Sequence, residues 1–353
     1  MTAMIYEISP SIATPEDLRS DAALAAAADK EYVLTQSGPR TVIPSSVSYL
    51  PFSHLIPTSS LRELGEDIKQ HPPSTEGQLP SRDQILTSRF TKDQNLGQIE
   101  FYFDISNYSP FYPSEPGKKY GTMLMMLQYP FSRGSMHIPP LPPSPQLNGH
   151  SNHNGNSNGN PASNGIPAQT KSPKSRTTAE DKPLINPRYY LDRGGAVDFK
   201  LMCLCQRFAD KICRTAPLSS IIERRVFPPA ASPPTSQPSQ STNCNGNGAQ
   251  DKGTGEVEEE EDFSDWIRNT TITDWHPIGT CSMGGHEGIE AGVVDARLKV
   301  YGTQNVRVCD ASVMPLQIAA HLQATVYAIA EKGAEMMKED WARSRLGRDG
   351  VES

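Results

Sequence analysis

Long apolar runs are missing from this 353-residue sequence. No stretch approaches the roughly 20 apolar residues that a membrane-spanning helix needs, so no membrane partner is expected. No signal peptide opens it, and localisation is left undetermined. Cysteine is sparse: the six residues Cys203, Cys205, Cys213, Cys244, Cys281 and Cys309 form no paired C-x-x-C spacing. Reduced, mostly buried thiols are expected in preference to a disulfide or a cysteine metal site. No metal site is expected elsewhere. A basic stripe is also absent, and the net charge of −7 makes nucleic acid an unsuitable partner. Finally, no Gly-x-Gly-x-x-Gly turn links a strand to a helix, so no dinucleotide cradle is written in these residues. Gly246-x-Gly248 and Gly253-x-Gly255 lie in low-complexity sequence with no strand before them.

The length is sufficient for two domains and a sizeable core. Hydrophobic residues nevertheless make up only 36%, with 31 prolines, and the mean hydropathy is −0.52. The deficit is local. From Pro139 to about Asp181 the chain turns to Pro, Asn, Gly, Ser and His, as in Asn154-Gly155-Asn156. A second such stretch, 228–261, ends in the acidic run Glu258–Glu261. Neither has enough apolar side chains to offset the entropy of ordering, so both are expected to be disordered insertions within one fold. His150 and His153 in the first are read as solvated.

Between the insertions the periodicities are regular. Thr14-Pro15-Glu16-Asp17 starts a helix over 15–34, with Thr14 as its N-cap. Residues 42–52 read as extended, and short helices are predicted over 60–70 and 82–94. Residues 98–104 alternate as a strand, and 120–129 as another with Met123, Met125 and Leu127 on one face. Leu201, Cys205, Phe208 and Ile212 recur at helical spacing over 198–216.

The densest pattern lies near the C-terminus. Trp275-His276-Pro277-Ile278-Gly279-Thr280-Cys281-Ser282-Met283 leads to Gly292-Val293-Val294-Asp295. Val306-Arg307-Val308-Cys309-Asp310-Ala311-Ser312 follows, and the pattern closes on His321-Leu322-Gln323-Ala324-Thr325 and Ala330-Glu331-Lys332. This order resembles the C-terminal signature of the glucose-methanol-choline (GMC) flavoprotein oxidoreductases. Upstream, Ser37-Gly38-Pro39, Ser132-Arg133-Gly134 and Pro183-Leu184-Ile185-Asn186-Pro187 resemble that family's middle portion, with Asn186 where an acid is usual.

The resemblance implies an α+β fold, with an antiparallel substrate-domain sheet and flanking helices. A C-terminal strand and helix would belong to a truncated FAD-binding domain. Its parts would be 1–138 and 182–227 for the substrate region, 262–342 for the catalytic segment, and 343–353 as a tail. Val306–Cys309 resembles a strand of the flavin domain's parallel sheet, and Val326, Ala330, Ala334 and Met337 are expected to form the packing face of the last helix.

Oxidising an alcohol by hydride transfer requires a base to take the hydroxyl proton as the hydride leaves, and imidazole titrates near working pH. The resemblance implies that His276 is that base and that His321 is its partner at the flavin face. It assigns Asp310 and Ala311 to the flavin's phosphate-ribityl side, and Leu322 and Gln323 to amides facing the flavin ring at a helix N-terminus. The implied cofactor is FAD and the implied partner a small alcohol; oligomeric state is left open. The missing glycine fingerprint points to a truncated gene model or fragment. A non-redox lyase or cyclase on the same fold, and an inactive remnant, are the alternatives.

Overall fold

A computed structural model describes residues 1–41, 45–70, 80–92, 95–139, 181–230 and 262–349. Apart from residues 139, 181 and 228–230, the two expected insertions lie outside the described residues. The chain divides into two compact units, one of residues 1–132 with 189–353 and one of 133–188.

The larger unit begins with a strand that periodicity does not reveal, β1 (Thr2–Ile8), in which Met4, Ile5, Tyr6 and Ile8 are all at most 1% exposed. Burial on both faces removes the alternation by which a half-solvated strand is recognised. The predicted helix over 15–34 is two helices, α1 (Pro15–Ser20) and α2 (Ala22–Thr35). Asp21 breaks it by adopting an extended backbone, and its Oδ1 accepts from the amides of Ala23 (2.9 Å) and Leu24 (3.0 Å). An N-cap inside an apparent helix wins because it satisfies two otherwise orphaned donors. Asp21→Ala is expected to lower stability by about 1 kcal/mol, read as a shift of the denaturant midpoint with unchanged slope.

Next come β2 (Ser45–Leu50), α3 (Thr58–Gln70), α4 (Pro80–Thr91), β3 (Ile99–Asp104) and β4 (Lys119–Leu127), each within a few residues of its predicted span. The smaller unit contributes a two-stranded pair, β5 (Ser135–His137) against β6 (Leu184–Asn186). There the strand that follows Ser-Arg-Gly pairs with residues that follow the first insertion.

Back in the larger unit, α5 (Arg193–Cys213) is followed by β7 (Ile222–Phe227), α6 (Ser264–Thr270) and α7 (Gln323–Asp349). Five strands form one antiparallel sheet in the order β2-β3-β4-β1-β7. One sheet face carries Met4, Tyr6, Phe101, Phe103, Met123 and Met125, and α5 covers it with Leu201, Met202, Cys205, Ala209 and Cys213. Each such side chain contributes roughly 1.5–3 kcal/mol through burial, so this layer dominates stability. A polar anchor crosses it: Tyr6 Oη donates to Asp210 Oδ1 (2.9 Å), which Arg225 also meets at 3.1 Å.

The opposite sheet face bears Ala3, Leu124, Met126 and Tyr102. By register it also bears Glu100, which pairs with Tyr49 on β2 and Met126 on β4.

The helix α7 packs through Ile329 and Met336 against Val294, Leu298 and Val313. A Cβ on Gly333 would lie 2.7 Å from Cys309 Sγ, so the close approach needs glycine there. The predicted face of Val326, Ala330, Ala334 and Met337 is therefore displaced around the helix, and Met337 stays exposed. What fixes the rotation is charge. Asp340, in line with Gly333 and Met336, meets Arg297 (2.7 Å), Lys299 (2.7 Å) and Arg307. Hydrogen bonding from Lys299 and Arg307, with the field of Arg297, holds the Asp340 carboxyl well below the usual range.

Candidate active site

The site is built on the sheet face away from α5. Glu100 is fully buried there, an unusual place for an acid unless it is hydrogen-bonded. Its Oε2 accepts from Gln128 Nε2 at 2.9 Å, and its Oε1 lies 2.8 Å from His321 Nε2. Tyr49 leans on the same carboxylate. Burial first, then the Glu100 charge and hydrogen bond, push its hydroxyl up to about 12. A buried carboxylate bonded to one ring nitrogen fixes the ring's orientation and leaves the other nitrogen, Nδ1, available.

Local backbone brings the two histidines to this face. Ala319 donates its amide to Tyr129 Oη (3.2 Å), which ties the residues before α7 to the end of β4. His321 thus stands just ahead of the first turn of α7, and Val326 N–H closes that turn on the Leu322 carbonyl at 2.9 Å. The His276 segment is laid beside β1, since Ile272 donates its amide to the Met1 carbonyl at 3.0 Å. Beyond His276, Cys281 and Met283 donate to the carbonyls of Ser312 and Val313, each at 3.0 Å. Gly292 permits the next close contact, because a Cβ there would sit 2.4 Å from the Gly284 nitrogen. The result is a pair of imidazoles with centroids 5.4 Å apart and planes inclined at 46°.

The remaining sequence-predicted residues fall in two places. Leu322 is buried and Gln323 is the first residue of α7, so both lie at a helix N-terminus beside His321. Asp310 and Ala311 lie in a separate turn. The Asp310 carboxylate caps it, accepting the Ser312 amide (2.8 Å) and hydroxyl (2.5 Å). The turn joins the histidine motif through the Cys281–Ser312 bond and not through the imidazoles. Val306–Cys309, just before it, forms antiparallel bridges with 298–300, and no parallel partner flanks it among the described residues.

Sequence reasoning missed Glu100, Tyr49, Gln128 and Asp274. The available signal was an acid in the otherwise apolar strand Ile99-Glu100-Phe101, which periodicity alone assigns to solvent. Asp274 Oδ2 lies 4.0 Å from His276 Nε2, and burial raises its carboxyl above the ordinary range. A hollow of about 450 Å³ lies elsewhere, between Lys299, Arg307 and Trp341. Lys299 and Arg307 there are already committed to Asp340.

An antiparallel sheet with a buried carboxylate, a histidine pair and a helix start brings together groups capable of acid–base chemistry on an α+β body. Residues 173–330 match the family model described as GMC oxidoreductase. The chain is 25% identical to "Dehydrogenase mpl7" of Monascus purpureus over 96% of this chain and 46% of that protein. It is 26% identical to the alcohol oxidase of Pichia angusta over 95% and 48%. Among solved structures, a formate oxidase superposes with a TM-score of 0.62 at 18% identity, over 96% of this chain and 46% of that one. The likeness extends to the fold. The chain spans about half the length of these relatives.

Proposed function

We propose that this chain supplies the acid–base half of an FAD-dependent alcohol oxidation, with His276 as the base that takes the hydroxyl proton. The observation that carries this reading is the imidazole pair, 5.4 Å between centroids, with one ring tied to a buried carboxylate and the other not. When protonated, His321 donates Nε2–H to Glu100 and keeps Nδ1–H to donate to the substrate oxygen and orient it. His276 retains Nε2 for the proton. A hydroxyl bound between the two rings would meet the base and its partner together, as proton transfer requires.

The residues suit one end of the flavin. The amides of Gln323 and its successors open α7 beside His321, a setting that favours negative charge. The pyrophosphate end has no counterpart: the described sheet is antiparallel, with no glycine turn leading from a parallel strand into a helix. Bound flavin would supply the hydride acceptor. Leu322, Gln323 and the Asp310–Ala311 turn are the residues of this chain assigned to it, and the small alcohol is the assigned partner.

The purified chain alone is therefore expected to bind FAD weakly or not at all, measured as flavin retained after gel filtration. Stoichiometric yellow protein would show that another segment replaces the cradle. Co-expressed with the flavin-binding portion of a relative, the complex should bleach on anaerobic addition of an alcohol. Absence of bleaching by any alcohol, in a complex that holds flavin, would overturn the redox reading.

A further inference from the structure

We propose that Asp274 is a positioning residue for His276, accepting the Nε2–H of the imidazolium that forms when this ring takes a proton. The inference rests on the reading of His276 as the base, and three observations point to it. The first is the 4.0 Å separation of Asp274 Oδ2 from His276 Nε2, the ring nitrogen that His321 instead commits to Glu100. The two histidines thus each face a different carboxylate, one in contact and fully buried, one a short rotation away and half-buried.

The second observation is backbone strain. Trp275, between Asp274 and His276, holds φ at +55°, a left-handed conformation rare for a bulky residue. Its side chain is 69% exposed, so packing of the indole does not account for the turn. One local hydrogen bond, from the Trp275 amide to Thr273 Oγ1 at 3.0 Å, supports it. Such conformations cost about 1–3 kcal/mol and persist where the arrangement they create is used. Here that arrangement is the Asp274–His276 juxtaposition.

The third is electrostatic. Around Asp274 stand the Met1 amino group on β1, Glu100 on β3, Tyr49 on β2, and His321 ahead of α7, besides His276 itself. Burial makes the ionised carboxylate less comfortable, and the fields of His276 and the Met1 amino group offset part of this. A charge forming on His276 would therefore be welcomed by an under-compensated neighbour. The proton balance is simple. The substrate hydroxyl loses H⁺ to Nε2; once the oxidised product has left, the imidazolium turns this N–H to Oδ2, which accepts the proton and releases it to water.

The test has two arms. In the chain itself, without flavin, labelling of His276 by diethylpyrocarbonate is followed by mass spectrometry of its peptide, because only the neutral ring reacts. With the carboxylate removed, Asp274→Asn should label roughly two- to fivefold faster than wild type at pH 6 and equally fast at pH 8. A ratio that does not change with pH overturns the proposal. In the flavin-loaded complex, Asp274→Asn should lower kcat roughly tenfold with KM nearly unchanged, and Asp274→Glu should recover most of it. Loss in KM alone, or no recovery by Glu, also overturns it. If Asp274→Asn does not fold, as judged by circular dichroism, Asp274→Glu carries the labelling arm: a ratio within twofold of wild type at both pH values supports the proposal, and a pH-independent change overturns it. A positive labelling arm beside an inert His276→Ala would sink the base assignment while leaving the Asp274–His276 coupling intact.

Discussion

In a flavin-loaded complex, His276→Ala lowers the rate of flavin reduction by an alcohol by roughly 10²–10⁴-fold, the range for loss of a general base. Anaerobic stopped-flow absorbance is the measurement. The loss should shrink with more acidic alcohols, which need less help in losing the proton. His321→Asn should cost less, because an amide can still hydrogen-bond the substrate oxygen. The asymmetry has a structural basis. His321 already spends one nitrogen on Glu100 at 2.8 Å, whereas Nε2 of His276 has its nearest charged partner at 4.0 Å. If the two variants rank in the opposite order, the roles are exchanged. If neither changes flavin reduction, the imidazoles are structural and the mechanism is wrong.

The largest expected effect on stability lies outside the site, at Asp198. This buried carboxylate accepts the amides of Phe131 (3.0 Å) and Ser132 (2.7 Å) and the Ser132 hydroxyl (2.5 Å). Asp198→Ala strands three donors, two of them backbone, of which the Phe131 amide is buried and those of Ser132 are partly buried. At about 1–3 kcal/mol for each unsatisfied group, a loss of roughly 3 kcal/mol or more follows. Calorimetry should show Tm lower by about 6–12 °C.

A pH dependence accompanies it. Burial outweighs the hydrogen bonds and nearby Arg82, and pushes the Asp198 carboxyl up to about 6. An unfolded Asp titrates near 3.9. The folded state thus binds this proton more tightly, and its contribution is fully present below about pH 4. It is lost as pH rises through about 6. Against Asp198→Asn, which cannot ionise, wild type should lose stability between those limits. A constant difference in Tm from pH 4 to pH 7 would show that the hydrogen bonds, not burial, decide its charge.

Much of this was legible in the sequence for a definite reason. The helices and strands from 45 to 127 are set off by turn residues, and β3 and β4 are legible from β-rich composition although both of their faces are buried. The segment from Trp275 to Lys332 carries its own spacing of glycines and histidines. β1 was not legible, because its short run Thr2–Ile8 shows no alternation and no turn signal precedes it to bound a strand. Asp21 was not, because a capping aspartate inside an alanine-rich run looks like one more exposed helical residue. The rotation of α7 depends on three cations drawn to Asp340 from a segment some forty residues earlier, and no local pattern encodes that. Glu100 was hidden for the opposite reason: alternation assigns it to solvent, and only the register with Tyr49 and Met126 puts it under His321.

The position of β1 also sets a kinetic demand. The first strand of the chain is the fourth in the sheet, and its partners are far away along the sequence: Met4 pairs with Met123, and Ile5 with Phe227. Every hydrogen bond on its two edges closes a loop of more than a hundred residues, and loop closure must be met before those contacts reward it. During synthesis, at a few to some twenty residues per second, β1 waits unpaired for its second edge until β7 has emerged. For that interval, an apolar strand with an open flank depends on holding chaperones, or on swift pairing with β4, to stay out of aggregates.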